Sequence, residues 1–237
     1  MGDHGTRRYV LVSGAWQGGW AWREVAARLR AAGHEVSTPT LTGLGERRHL
    51  GQNVDLALHV EDVVAHIEME RLSGVTLVGW SYGGMVITGV ATRIGERIRT
   101  LVYLDAIIPQ DGQAQFDVVG PELALLTMRH AAGDGRLPAL PAAAMAVNAK
   151  DAERVDRLCR PQSYLTFIEA VRFTGKEQLP RNRTYILAEG FEFPPGRALY
   201  QQCVAAGWRT ACLPCGHDVM LDMPDELSDL LLGEADR

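Results

Sequence analysis

The apolar run Val75-Thr76-Leu77-Val78 leads into Gly79-Trp80-Ser81-Tyr82-Gly83, and an amphipathic stretch from Met85 to Arg93 follows at once. The run reads as a strand and the later stretch as a helix, so a strand must turn into a helix within a few residues. A serine at the centre of so sharp a turn takes strained backbone angles. Its neighbours must be small where adjacent chain passes close by, a need that Gly83 and Gly84 fit. The hydroxyl then projects at the carboxyl end of the sheet, over a helix N-terminus that favours developing negative charge.

The rest of the chain keeps the same rhythm. Tyr9 to Val12 reads as a buried strand, followed by the glycine-rich loop Ser13 to Gly19. Trp20 to Ala32 has helical spacing (Val25, Ala26, Leu29) and stops at Gly33. A weaker strand, His34 to Thr38, ends at Pro39; Leu56 to Arg71 is helical, with Leu58, Val63, Ile67 and Met69 on its apolar side. Thr100 to Leu104 is another strand. After a break, Thr184 to Leu187 (strand), Gly196 to Ala206 (helix), Trp208 to Cys212 (strand) and Pro224 to Leu232 (helix) resume the alternation. Strands alternating with helices imply right-handed crossovers and a doubly wound, mostly parallel sheet, the α/β class. From Pro109 to Lys176 no strand is legible, and the Ala-, Leu- and Met-rich stretch is too long for a loop. The expected organisation is a core of residues 1–108 and 177–237, with a helical cap of residues 109–176 inserted.

Charge and composition narrow the function. Lys+Arg 24 against Asp+Glu 29 gives a net charge of −5, and no basic run is present, so nucleic acid is not an expected partner. No apolar run is long enough to cross a bilayer, and Met1 to Arg8 is polar, unlike a secretory signal. Cys159, Cys203, Cys212 and Cys215 all lie in the C-terminal half and form no disulfide framework. A reduced, cytoplasmic protein acting on a small molecule, away from membranes, is the expectation. Association into a homodimer stays open.

Serine at its free pKa is a poor nucleophile and needs a base. Of the seven histidines, His4 lies in the terminal segment, His34 begins a strand, and His59 and His66 fall on a surface-type helix. His49 is in a polar loop and His130 in the insertion. His217, in Pro214-Cys215-Gly216-His217-Asp218 after the last strand, is placed to reach Ser81 from the carboxyl edge of the sheet.

These stretches, with Leu11 to Trp20, Pro39 to Arg47, Leu77 to Met85 and Leu101 to Ala106, resemble the α/β-hydrolases of the small esterase and hydroxynitrile-lyase branch nearly end to end. The resemblance implies Ser81 as nucleophile, His217 as base, and an oxyanion hole from the backbone N–H groups of Ala15 and Tyr82. Two positions depart from the family pattern. Ser13-Gly14 stands where His-Gly is usual, and Trp80 precedes the nucleophile where His is usual; both bear on pocket shape. The family's commoner place for the triad acid is the loop Ala188 to Pro194, which offers only Glu189 and Glu192. The competing candidate is Asp105, which closes the strand Leu101 to Leu104. An aspartate there is costly to bury unless partnered, and its position is fixed by the strand, which favours it.

The expectation is therefore a Ser81–His217–Asp105 serine hydrolase acting on an ester-type bond, with no metal or organic cofactor. Trp16 and Trp80 flank the oxyanion and nucleophile positions and are expected to line the substrate pocket, while Trp20 and Trp22 read as packing. Phe116, Met128, Met145 and Phe167 suggest an apolar substrate. Two rivals stand beside this reading. A lyase on the same scaffold typically has a lysine after the histidine and a threonine near the oxyanion loop; Asp218 and Gly14 hold those places here. A catalytically retired ligand receptor would be expected to have lost the serine or the histidine. The Cys212-x-x-Cys215 pair has no second pair and reads as structural or free thiols; Gly43 to His49 lacks the ending of a phosphate loop; Asp151 to Arg160 reads as a solvated helix face.

Overall fold

The computed structural model describes residues 5–51, 53–131, 133–192 and 194–233, so His4 and Phe193 lie outside the described residues. A six-stranded sheet in the order β2-β1-β3-β4-β7-β8 forms the centre. Its strands are β1 (Arg8–Val12), β2 (Glu35–Ser37), β3 (Val75–Trp80), β4 (Ile98–Leu104), β7 (Asn182–Ala188) and β8 (Arg209–Leu213), and every neighbouring pair is parallel. The helices α1 (Arg23–Ala31), α2 (Leu56–Met69), α3 (Gly83–Ile94), α8 (Pro194–Ala205) and α10 (Pro224–Gly233) flank it. β1, β3, β4 and β7 carry continuous buried runs because helices cover both faces of a parallel sheet.

Register decides where the site lies. Trp80 of β3 pairs with Leu104 of β4, and Leu104 pairs with Ile186 of β7. Ser81 and Asp105, each the next residue along, therefore emerge level with one another at the carboxyl edge. The Ser81 N–H donates to the Leu104 carbonyl at 3.1 Å and the Asp105 N–H to the Ile186 carbonyl at 2.7 Å, so the ladder extends one residue past each strand.

Between β4 and β7 the chain passes through α4 (Gln115–Val119), α5 (Pro121–Met128), α6 (Ala152–Leu158) and α7 (Leu165–Ile168). The sequence shows no strand here, yet β5 (Arg136–Leu137) and β6 (Gln162–Ser163) pair antiparallel. Two residues are too few to carry a period, which is why the pattern is silent. A short helix, α9 (Val219–Asp222), also intervenes before α10, again too short to read. Asp151 is buried at the start of α6 rather than solvated, held by Asn148.

The apolar face of α2 differs from the expected one. Val63 and Ile67 are buried, but Leu58 and Met69 are exposed, Met69 at 76%. The buried stripe is Leu56, His59, Val60, Val63, Val64 and Ile67. His59 lies in that stripe and is not on the surface. Its Nε2 faces the Thr42 carbonyl at 2.9 Å, so it carries the proton, and Nδ1 accepts from the Tyr82 hydroxyl at 2.9 Å. The Thr42 loop is held to α2 a second time, its N–H and hydroxyl both donating to Asp62. Burial lowers the His59 pKa from 6.5 to about 4, so the ring is neutral at ordinary pH and spent on structure.

Two outcomes follow for His59→Leu. The variant leaves the Thr42 carbonyl unpaired and takes away one partner of the Tyr82 hydroxyl, costing roughly 1–3 kcal/mol in urea unfolding near pH 8. Because the folded pKa lies below the unfolded one, wild type loses stability as pH falls from 6.5 to about 4, by about 3 kcal/mol from this group. The deficit of the variant relative to wild type should therefore shrink over that window. A deficit constant with pH would contradict the buried neutral imidazole.

Candidate active site

The elbow between β3 and α3 is built as the motif requires. Ser81 has φ 54°, a left-handed angle rarely adopted by residues with a side chain. A Cβ on Gly83 would sit 2.9 Å from the Val12 and Ser13 carbonyls, and one on Gly84 would overlap the Ile107 carbonyl. β1 and the loop after β4 thus press on the turn from both sides, and only glycine fits.

Three side chains from three loops meet there. His217 lies in the loop after β8, with Nδ1 2.6 Å from Asp105 Oδ2 and Nε2 2.9 Å from Ser81 Oγ. The Asp105 carboxylate can only accept, so Nδ1 carries the proton and Nε2 is free to accept from the serine hydroxyl. Asp105 has no solvent exposure and His217 is 6% exposed. The Ala188 N–H donates to the second Asp105 oxygen at 3.3 Å. Like Ser81, Asp105 has positive φ, 41°. Glu192 lines the cavity mouth and Glu189 is exposed; the carboxylate on His217 Nδ1 is that of Asp105.

Ala15 and Tyr82 bracket the serine. Tyr82 caps the N-terminus of α3, and among the described residues neither its backbone N–H nor that of Ala15 is engaged by a hydrogen bond. The Ala15 loop is held from several directions. Trp16 has φ 64°; its N–H donates to Gln162 Oε1 at 2.8 Å and its carbonyl accepts from the Arg160 N–H at 2.9 Å. Gln162 is itself buried and donates to Thr166 Oγ1. Gln162 carries no sequence signal of this role, because its partner is a backbone group 146 residues away.

A cavity of about 310 Å³ opens above Ser81 and His217. Trp16 and Trp80 both line it, with Phe116, Val119, Met145, Phe167 and Phe191. The Trp80 ring packs 5.0 Å from the His217 ring, and its indole N–H donates to the His217 carbonyl at 2.8 Å. Phe167 joins Trp16, Tyr82 and Phe116 in one aromatic cluster with centroids 5.5–5.9 Å apart. Met128 is not part of this lining: it sits at the exposed end of α5, none of whose residues is buried. Trp22 is fully buried and Trp20 packs under the Arg154 guanidinium, as packing residues would. The four cysteines are free, and among the described residues no cluster of three His, Cys, Asp or Glu could hold a metal ion. Likewise no helix there is long and apolar enough to cross a membrane.

Comparison with known proteins shows the family and the fold. Residues 9–230 match the model of the alpha/beta hydrolase family. The chain is 45% identical to the carbendazim hydrolyzing esterase of Nocardioides sp. (strain SG-4G), over 94% of this chain and 97% of that one. It is 32% identical to salicylic acid-binding protein 2 of Nicotiana tabacum, over 44% of this chain and 40% of that one. Among solved structures, an extracellular alpha/beta-hydrolase from a Paenibacillus species superposes with a TM-score of 0.85 at 24% identity, covering 98% of this chain and all of that one.

The hold on Trp16 can be tested by stability. Gln162→Leu keeps the bulk but leaves the Trp16 N–H buried without an acceptor, and should cost about 1–3 kcal/mol in denaturant unfolding. An unchanged midpoint would show that the N–H finds another partner and that Gln162 is dispensable to the loop.

Proposed function

Since the chain belongs to the alpha/beta hydrolase family, we propose that it is an esterase that hydrolyses an ester-type bond of a small apolar substrate. The observation that carries this reading is the continuous chain Ser81–His217–Asp105, at 2.9 and 2.6 Å, on the floor of an apolar cavity.

In the proposed reaction Ser81 Oγ attacks the substrate carbonyl while His217 Nε2 takes its proton. Asp105 holds the ring in the productive tautomer and stabilises the imidazolium. The carbonyl oxygen becomes an oxyanion between the N–H groups of Ala15 and Tyr82, where the N-terminus of α3 adds a favourable dipole. His217 returns the proton to the departing alcohol, and water, activated by the same histidine, releases the acid from the acyl-enzyme. No metal or organic cofactor takes part. Residues 109–176 form the cap that supplies the apolar walls, with Trp16 and Trp80 as further substrate contacts. The name of the Nocardioides relative puts carbendazim among the first substrates to try. Four free cysteines suit a reducing, cytoplasmic setting.

The lyase alternative fares worse. A Cβ on Gly14 would lie 2.7 Å from the Trp80 ring and 2.9 Å from Ser81 Cβ, so a threonine is not accommodated while Trp80 stands there. The place after His217 holds a buried aspartate instead of a cation. The receptor alternative keeps an intact Ser–His–Asp chain without a use for it.

A fluorophosphonate should label the protein at Ser81, and Ser81→Ala should abolish labelling; labelling elsewhere, or none, would sink the hydrolase reading. Wild type should turn over a short p-nitrophenyl ester without releasing cyanide from mandelonitrile above background, and the reverse outcome would establish the lyase. Asp105→Asn should lower kcat roughly 10²- to 10⁴-fold with KM little changed, while Glu192→Gln stays close to wild type. A dead Glu192→Gln beside an active Asp105→Asn would move the acid to the loop after β7.

A further inference from the structure

Two loops that flank the serine are joined by a buried pair in which one oxygen on each side has no partner. Gln17 lies two residues beyond Ala15, and Asp218 directly follows His217. Both side chains are fully buried, and Gln17 Nε2 donates to Asp218 Oδ2 at 2.7 Å. Among the described residues, the remaining oxygens, Gln17 Oε1 and Asp218 Oδ1, have no hydrogen-bond partner. An ionised carboxylate cannot help, since both oxygens are then acceptors and each stays buried and unpaired. One proton on Oδ1 would satisfy both, the acid O–H donating to the amide oxygen while the amide N–H donates to the acid, as a reciprocal acid–amide pair.

We propose that Asp218 and Gln17 form a positioning pair, closed by a proton on Asp218, that fixes the loop carrying Ala15 against the loop carrying His217. The functional part of this inference rests on the esterase reading above; the proton does not. No atom of either residue takes part in the bond changes. The pair acts by setting the distance between the oxyanion donor and the base.

The charged surroundings agree. Burial is the main cause that raises the Asp218 pKa from 3.8 to about 6, with Asp222 of α9 and Asp151 ahead of α6 pushing the same way. His217, when protonated, and the Gln17 hydrogen bond push the other way. Cys159, after α6, also feels this carboxylate. Asp222 is engaged by the Gly216 N–H and by Asn148; Asp151 is engaged by Asn148, with Arg154 3.9 Å away. A folded pKa above the unfolded one means that Asp218 stabilises fully below about pH 3.8. That contribution is lost as pH rises through about 6.

Asp218→Asn is the informative variant, because its amide N–H sits where the acid O–H would and cannot be titrated away. Its Tm should match wild type near pH 4 and exceed it at pH 8, and kcat on a p-nitrophenyl ester, compared at pH 5 where the pair is closed in both, should stay within about twofold of wild type. Gln17→Leu and Asp218→Leu should each lower kcat per folded molecule about 10- to 100-fold with KM little changed. The double variant should be no worse than either single one, since both break the same link. Asp218→Asn with no gain in Tm at pH 8 would overturn the shared proton. Asp218→Leu with full kcat per folded molecule would overturn the positioning role. Asp218→Asn as inactive as Asp218→Leu would show that the carboxylate charge matters instead, and would equally overturn the proposal. The melting comparison needs no turnover, so it judges the pair even if Ser81→Ala shows the esterase reading to be wrong.

Discussion

A carboxylate without solvent exposure sits at the end of an apolar strand, and most of the site's architecture makes that tolerable. A polar side chain buried like Asp105 is costly unless it is hydrogen-bonded. Asp105 is met at 2.6 Å by the Nδ1–H of His217 and at 3.3 Å by the Ala188 N–H. Parallel pairing of β3, β4 and β7 sets those partners: register brings Ser81 and Asp105 out level, and the end of β7 supplies the N–H. His217 then has no freedom in its ring orientation. With Nδ1 committed to Asp105, Nε2 must face Ser81.

Three of the six non-glycine residues with positive φ among the described residues lie where this arrangement is made. Ser81, Asp105 and Trp16 all hold positive φ without being glycine. Each is over-determined by neighbours: Ser81 by the two glycine-tight contacts of its turn, Asp105 by its ladder bond to Ile186 and its side-chain bonds to His217 and Ala188, Trp16 by Gln162 and Arg160. Strain of this kind persists only where surrounding contacts hold it, and an oxyanion donor on a loose loop would lose most of its value. Trp80 adds a further restraint by tying its indole N–H to the carbonyl of His217.

Much of this was legible in the sequence, and the exceptions share a cause. The alternating core and the elbow follow from patterns written over consecutive residues, and the elbow's glycines from the backbone contacts a turn must make. The placement of Asp105 at the end of β4 follows from where a strand ends. What escaped the pattern is set by tertiary pairing. His59 looks like a surface histidine until Thr42 and Tyr82 are brought to its two nitrogens. Gln162 is an ordinary polar residue until the loop carrying Trp16 lies beside it. Gln17 and Asp218 are 201 positions apart, and nothing local marks them as partners. β5 and β6 are two residues each, below the length at which alternation has meaning.

The central claim is that Ser81 forms a covalent acyl intermediate. Acid quenching during turnover of p-nitrophenyl acetate, followed by peptide mass spectrometry, tests it most directly. The account predicts an acetyl group on the peptide containing Ser81, formed as p-nitrophenol is released in a burst and absent from Ser81→Ala. Steady turnover with no adduct on that peptide and no burst, or an adduct on another residue, would contradict it.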